Sequence, residues 1–239
     1  MQNEIRTLTA TDLRVTSATQ LDQLGASGFT EDNRQFSYVG VGATGVSAGQ
    51  LLVTPAVVAN HQGLLLAAGS QKAAGSTQLQ LTLGATAATA SQYVDGYLTV
   101  VTGTGAGYAY RIRGNTATAA SGVIFIDLVQ NEPLITAVDA ATTFNLAPNV
   151  FSNLITSTTS SHAVGIATTN IAANSFGWVQ NYGFCAALIQ GTISKGVAIQ
   201  QSTTTAGAVA TLTGTNALLG NTLENCTTGQ NNGVWLQIT

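Results

Sequence analysis

Leu79, Leu81 and Leu83 share one parity, with polar Gln78, Gln80 and Thr82 between them. A period of two sends successive side chains to opposite faces of a pleated chain, so this stretch predicts a strand with one face buried. Alternating Thr, Leu, Ala and Val continue to about residue 102. Tyr97-Leu98-Thr99-Val100-Val101-Thr102, the glycine-rich run 103–107, and Tyr108-Ala109-Tyr110-Arg111-Ile112-Arg113 read as strand, turn and strand. A second turn over 114–122 leads into Val123-Ile124-Phe125-Ile126-Asp127-Leu128-Val129, which completes a three-stranded meander. If that turn closes symmetrically, Arg113 faces Val123 and Arg111 faces Phe125. Parity then gathers Arg111, Arg113 and Asp127 on one face and Tyr108, Tyr110, Ile112, Ile124, Ile126 and Leu128 on the other. Arg111 and Asp127 become diagonal neighbours and a candidate structural ion pair, worth ~0.2–1 kcal/mol where partly exposed.

Similar signals flank this meander. Phe36, Tyr38 and Val39 lead to Gly40, and 46–53 with Gly49 as its turn reads as a short hairpin. Phe176-Gly177-Trp178-Val179-Gln180 and the run 183–189 predict two strands joined by a tight turn at Asn181-Tyr182-Gly183. Val197-Ala198-Ile199, Ala208-Val209-Ala210 and Val234-Trp235-Leu236-Gln237-Ile238 extend the β pattern to the end of the sequence. The expected fold class is all-β, an antiparallel sandwich or barrel-like body with an N-terminal extension. Residues 1–30 form that extension, in which a short helix over 11–24 is compatible with the spacing and order comes from a partner surface. Residues 31–239 form the β-rich body, divisible into subdomains of about 31–150 and 151–239.

Charge changes the picture most. Only 7% of residues are Asp, Glu, Lys or Arg, against about 25% in an ordinary soluble domain. Glu4, Arg6, Asp12, Arg14, Asp22, Glu31, Asp32 and Arg34 all fall in the first 34 residues, which leaves a long body wetted by Thr, Ser, Asn and Gln. A net charge of −3 with no basic run removes the term that drives nucleic-acid affinity, so no nucleic acid is expected as a partner. No apolar run approaches the length of a bilayer span, and residues 1–6 lack the apolar stretch of a secretory signal, so no membrane partner is expected and synthesis in a cytoplasm is. Cys185 and Cys226 are then expected as buried free thiols.

The residue types suited to chemistry have ordinary readings here. His61 and His162 stand far apart with no ligand-spaced Cys, Asp or Glu, so no metal or cofactor is expected. No Gly-x-Ser-x-Gly elbow accompanies the serines, and no pair of carboxylates is placed to flank a sugar bond. The 103–107 run lacks the Lys of a phosphate loop and precedes a strand. Asn225-Cys226-Thr227 matches a glycosylation sequon by chance. These readings predict a protein that is not an enzyme. Trp178, Tyr182 and Trp235, with Phe184, are the candidate interface aromatics, suited to a core, a subunit contact or a sugar platform.

Taken in order, Asp32-Asn33-Arg34-Gln35-Phe36-Ser37-Tyr38-Val39, Gly49-Gln50-Leu51-Leu52, Gly105-Ala106-Gly107-Tyr108, Pro133-Leu134, Asn149-Val150-Phe151 and the segments 176–183 and 191–197 resemble a known pattern. The chain resembles the decoration or cement proteins encoded beside the major capsid protein of tailed bacteriophages, over about residues 31–239. The resemblance implies a β-rich virion protein on the outer capsid surface, made in the host bacterial cytoplasm. It implies binding to the major capsid protein and to itself, as a homotrimer or else a dimer, and bridging of neighbouring capsomers. The alternative is a head or tail fibre component that contacts host surface glycans.

Overall fold

The computed structural model describes residues 6–214 and 216–238, and these form strands, turns and two single 3₁₀ turns with no α-helix. In chain order the strands are β1 (Arg6–Thr7), β2 (Ser27–Phe29), β3 (Gln35–Gly40), β4 (Leu51–Val53), β5 (Leu64–Leu66), β6 (Gln78–Thr82), β7 (Tyr97–Thr102) and β8 (Ala109–Asn115). They continue as β9 (Val123–Leu128), β10 (Thr143–Ala147), β11 (Ala163–Ala167), β12 (Phe176–Leu188), β13 (Ala198–Gln201), β14 (Val209–Thr211), β15 (Gly220–Thr222) and β16 (Asn231–Gln237). The chain is all-β, as its alternation predicts, and it falls into two compact units. Met1–Pro55 with Val150–Thr239 make one, and Ala56–Asn149 make the other.

The 56–149 unit is a closed barrel in the order β10-β5-β6-β9-β8-β7, with antiparallel pairing throughout. Closure removes every exposed strand edge. The alternating positions Leu79, Leu81, Leu98, Ile112, Ile124, Ile126, Leu128 and Phe144 all point inward and are buried, so the barrel interior is a packed core. The meander forms as β7, β8 and β9. Its second turn, however, does not close symmetrically. A bulge between Ile112 and Gly114 shifts the register so that Gly114 faces Asp127 and Asn115 faces Ile126. Arg111 lies across from Tyr97 instead, and its Nη2 sits 2.7 Å from Asp95 Oδ1. The predicted Arg111–Asp127 pair is therefore replaced by Arg111–Asp95. Asp127 accepts from Gln78 Nε2 at 2.8 Å, with Arg113 4.0 Å away. Tyr108, predicted inside, precedes β8 at the end of the glycine turn and is exposed.

The other unit is a ten-stranded sheet in which β12 is the longest strand. β3 runs along one edge of β12, while β11 and then β16 pair along it from Val179 to Leu188. The 46–53 hairpin is not formed: β4 pairs with β11, and β3 with β2 and β12. From Arg6 onward the N-terminal stretch joins the sheet through β1 and β2, and Leu8 and Leu13 pack on Phe36, Tyr38 and Trp178. Only a 3₁₀ turn, Asp12–Arg14, stands where a helix was compatible, and residues 1–5 lie outside the described residues. Residues 31–55 group with 150–239, so the 56–149 barrel is inserted within the chain of the other unit.

One local device recurs in both units. A residue in an isolated antiparallel bridge is followed by a two-residue turn and then a strand or an extended segment. The bridges pair Val46 with Ile171, Ile193 with Cys226, Lys72 with Val138 and Ala88 with Thr118. Each pair exchanges two backbone bonds, as Val46 N–H to Ile171 O at 2.8 Å and Ile171 N–H to Val46 O at 2.9 Å. Three residues after the bridge position, Gly49, Gly75, Ser91, Ser121, Asn174, Gly196 and Gly229 have φ between 53° and 88°. This is the left-handed region that a type II turn demands at its third residue, and it selects Gly, Asn or a small polar residue. Gly75 isolates that requirement, since a Cβ there would meet nothing within 4 Å at φ +86°. Gly75→Ala is expected to lower the unfolding free energy by about 1–2 kcal/mol in urea titration, with Gly75→Asn recovering most of the loss.

Candidate interaction surface

The feature that presents side chains outward is a bend in β12. The expected turn at Asn181-Tyr182-Gly183 is instead a bulge inside a continuous strand, marked by a register shift between Gln180 and Tyr182. Gly183 takes φ +91° there, and a Cβ would come within 3.0 Å of Arg34 Cγ. The buried Gln180 side chain holds the bend: its Nε2 donates to Tyr182 O at 3.0 Å and to Phe184 O at 2.7 Å. One buried amide thus satisfies two carbonyls left unpaired by the bulge and fixes the backbone that carries two aromatic rings.

Register places those rings on one face. Phe29, Gln35, Tyr182 and Gln237 lie directly across from one another on β2, β3, β12 and β16. In the neighbouring row Phe184 faces Trp235, which in turn faces Asn221. Phe184 is 55% exposed and Trp235 37%, and the rings of Tyr182 and Trp235 meet edge to face at 5.8 Å. A cleft of about 750 Å³ opens beside Phe29, Asn33, Gln35 and Tyr182. Its bordering Arg34 is held by Asp32 at 2.8 Å and lies 5.7 Å over the Phe36 ring. The Thr30 hydroxyl, with Arg34 beside it, keeps the Asp32 carboxyl below its usual range.

Of the three candidate interface aromatics, the structure brings Tyr182 and Trp235 together on this face and sends Trp178 to the opposite side. Trp178 is only 3% exposed and packs edge to face on Tyr38 at 5.3 Å. Of the readings open to it, a core, a subunit contact or a sugar platform, this position is that of a core residue. The first half of β12 is covered on both faces, with Gly177, Trp178, Val179 and Gln180 all buried, so parity does not expose it. Phe29, Gln35 and Gln237 were missed because their alignment depends on strand order, which the sequence does not display.

The barrel carries a second uncharged face. Val123, Thr82, Leu65, Thr143 and Thr102 form one outward row across β9, β6, β5, β10 and β7. Phe125 faces Gln80 in the next row, and both Leu65 and Phe125 are exposed.

The histidines and cysteines have structural settings. His61 is fully buried, and its Nε2 lies 2.9 Å from Thr86 O while Nδ1 meets the Tyr93 hydroxyl. A carbonyl can only accept, so Nε2 donates to it and Nδ1 accepts a hydrogen bond from the Tyr93 hydroxyl. Burial pushes the Tyr93 hydroxyl up to about 12, which keeps that proton in place. His162 is exposed, and its carbonyl accepts from Thr54 N–H at 2.9 Å. Cys185 and Cys226 are free and buried, and Cys226 occupies the bridge position of a repeated turn. Among the described residues no group of three His, Cys, Asp or Glu could hold a metal, and no helix is long and apolar enough to cross a membrane. Comparison of the chain with protein-family models, curated proteins and solved structures gives no match.

Two outcomes follow. Gln180→Leu strands the carbonyls of Tyr182 and Phe184 and is expected to cost about 1–3 kcal/mol in urea unfolding, with broadened amide resonances at both residues. Burial also pushes the Cys185 thiol up to about 12 and the Cys226 thiol upward, so little thiolate exists at neutral pH. Dithionitrobenzoate at pH 8 is expected to label neither cysteine in the native protein and both after denaturation.

Proposed function

We propose that the chain is a structural protein of a tailed-bacteriophage particle that binds the outer capsid surface and bridges neighbouring capsomers. The observation that carries this reading is the uncharged outer row of the barrel, Val123, Thr82, Leu65, Thr143 and Thr102. Such a face meets a protein surface without desolvating a charge, and its β-branched residues lose little side-chain entropy on contact. The resemblance of residues 31–239 to decoration proteins gives that contact a partner, the major capsid protein, and a trimer of the chain itself suits a site where capsomers meet. Binding to the expanded lattice in preference to the immature one stabilises the expanded shell by mass action. No catalytic step belongs to this role.

The N-terminal segment has a different part in it from that expected of a flexible arm. Leu8 packs against Gly28 and Leu13 lies among buried aromatics, so removing residues 1–28 would uncover Phe36 and Trp178. A barrel-surface variant is the better test. Leu65→Lys with Val123→Lys places two charges on the row without touching the core. Sedimented with expanded, undecorated heads, the wild-type protein is expected to co-purify and appear as density on the outer shell, while the variant stays in solution with an unchanged melting curve. Density confined to the tail or the interior, or full binding by the variant, would overturn the proposal.

A further inference from the structure

We propose that the face built by β2, β3, β12 and β16 is a binding site for a neutral oligosaccharide. The site stands apart from the barrel row used above and holds whether or not the protein sits on a capsid.

The groups that meet there match the chemistry of a sugar. A pyranose offers an apolar face of C–H groups and a rim of hydroxyls that both donate and accept. Its recognition calls for flat aromatic rings beside uncharged groups with the same dual capacity. Tyr182 and Trp235 present rings at 5.8 Å in an edge-to-face pair, with Phe184 next to them and Phe29 at the far end of the row. Gln35 and Gln237 flank Tyr182 in direct register, and Asn33 lines the cleft. Each amide supplies two donors and an acceptor. At about 750 Å³ the cleft has the size of an ordinary small-ligand site.

The same composition argues against a charged occupant. No Leu, Ile or Val lines the cleft, and Phe29, Phe36 and Tyr182 supply its apolar surface. No Lys, Arg, His, Asp or Glu lines it, so a phosphate or carboxylate would find no counter-charge. Arg34, the nearest cation, is committed to Asp32. The platform is also pre-formed. Gln180 fixes the carbonyls of Tyr182 and Phe184, so the rings need little ordering when a ligand arrives. Asn181, beside the cleft, keeps a buried Oδ1 without a partner, while its Nδ2 donates to Ser37 Oγ at 3.1 Å. An unpaired acceptor at that depth leaves capacity for one hydrogen bond that a small rotation would deliver to a bound hydroxyl.

The two tryptophans make the test direct, since Trp178 is buried and Trp235 is exposed. The purified protein is titrated with maltohexaose, cellohexaose, xylohexaose and N-acetylchitohexaose up to low millimolar concentration, following intrinsic fluorescence and calorimetry. At least one is expected to bind, to shift the Trp235 emission, and to do so independently of salt. Tyr182→Ala with Trp235→Ala is expected to weaken binding roughly tenfold or more with an unchanged melting curve. Gln35→Ala with Gln237→Ala, a gentler change, is expected to weaken it as well. Phe125→Ala on the barrel is expected to leave it unaltered. Failure of all four sugars to bind, or binding that survives both double variants, would overturn the proposal. So would a dimer in sedimentation that the Tyr182→Ala, Trp235→Ala protein no longer forms, because a second copy would then own the face.

Discussion

Two backbone hydrogen bonds exchanged between facing turns set where strands begin in both units. They tie Val46 to Ile171, Ile193 to Cys226, Lys72 to Val138 and Ala88 to Thr118. Each bond contributes only about 0.5–1.5 kcal/mol net, yet each fixes the point from which a ladder can propagate in a single register. A one-residue slip would send every Leu and Ile of the following strand to the wrong face. Side-chain electrostatics offer no substitute, because the ion pairs present, such as Arg6–Asp12 and Arg111–Asp95, are partly exposed and weak. Register therefore resides in turn chemistry, and the turn chemistry resides in a few left-handed residues.

That dependence explains what could be read from the sequence. The barrel strands were legible because one face meets a hydrophobic interior and the other meets water, which writes a clean alternation at Leu79, Leu81, Ile124, Ile126 and Leu128. The bulge at Arg113 was not, since nothing in Arg111-Ile112-Arg113-Gly114 distinguishes a bulged residue from a paired one. Asn181-Tyr182-Gly183 carried a true signal for positive φ at Gly183, but a hairpin and a bulged strand both use it, and only the length of β12 separates them. Strand order was closed to sequence reading, because β3 and β12 are joined across a long stretch of chain that folds as a barrel. The repeated turn could have been found by aligning the chain with itself: Val46-Ser47-Ala48-Gly49, Ile171-Ala172-Ala173-Asn174 and Ile193-Ser194-Lys195-Gly196 share an apolar residue three places before a Gly or Asn.

Scarce charge has different effects inside and outside. Inside, the buried polar groups are mostly uncharged and several are held by named partners, as with Gln180 across its bulge and His61 between Thr86 and Tyr93. Outside, it leaves broad faces of Thr, amides and isolated rings. The two faces differ in kind: the barrel row is β-branched and aliphatic, and the β12 face combines rings with amides. These are different kinds of surface, and the chain carries each on a separate unit.

The insertion of the barrel between Pro55 and Val150 has a consequence for how the molecule is made. All barrel strands emerge from the ribosome before β11 to β16 exist, so the barrel can close while the opening strands of the host sheet still lack their neighbours. During that interval β3 has only β2 beside it, so Val39 lacks β12, and Leu51 and Leu52 lack β11. Translation thus builds the guest before its host, and the host's first strands are the nascent chain's point of exposure until β12 arrives.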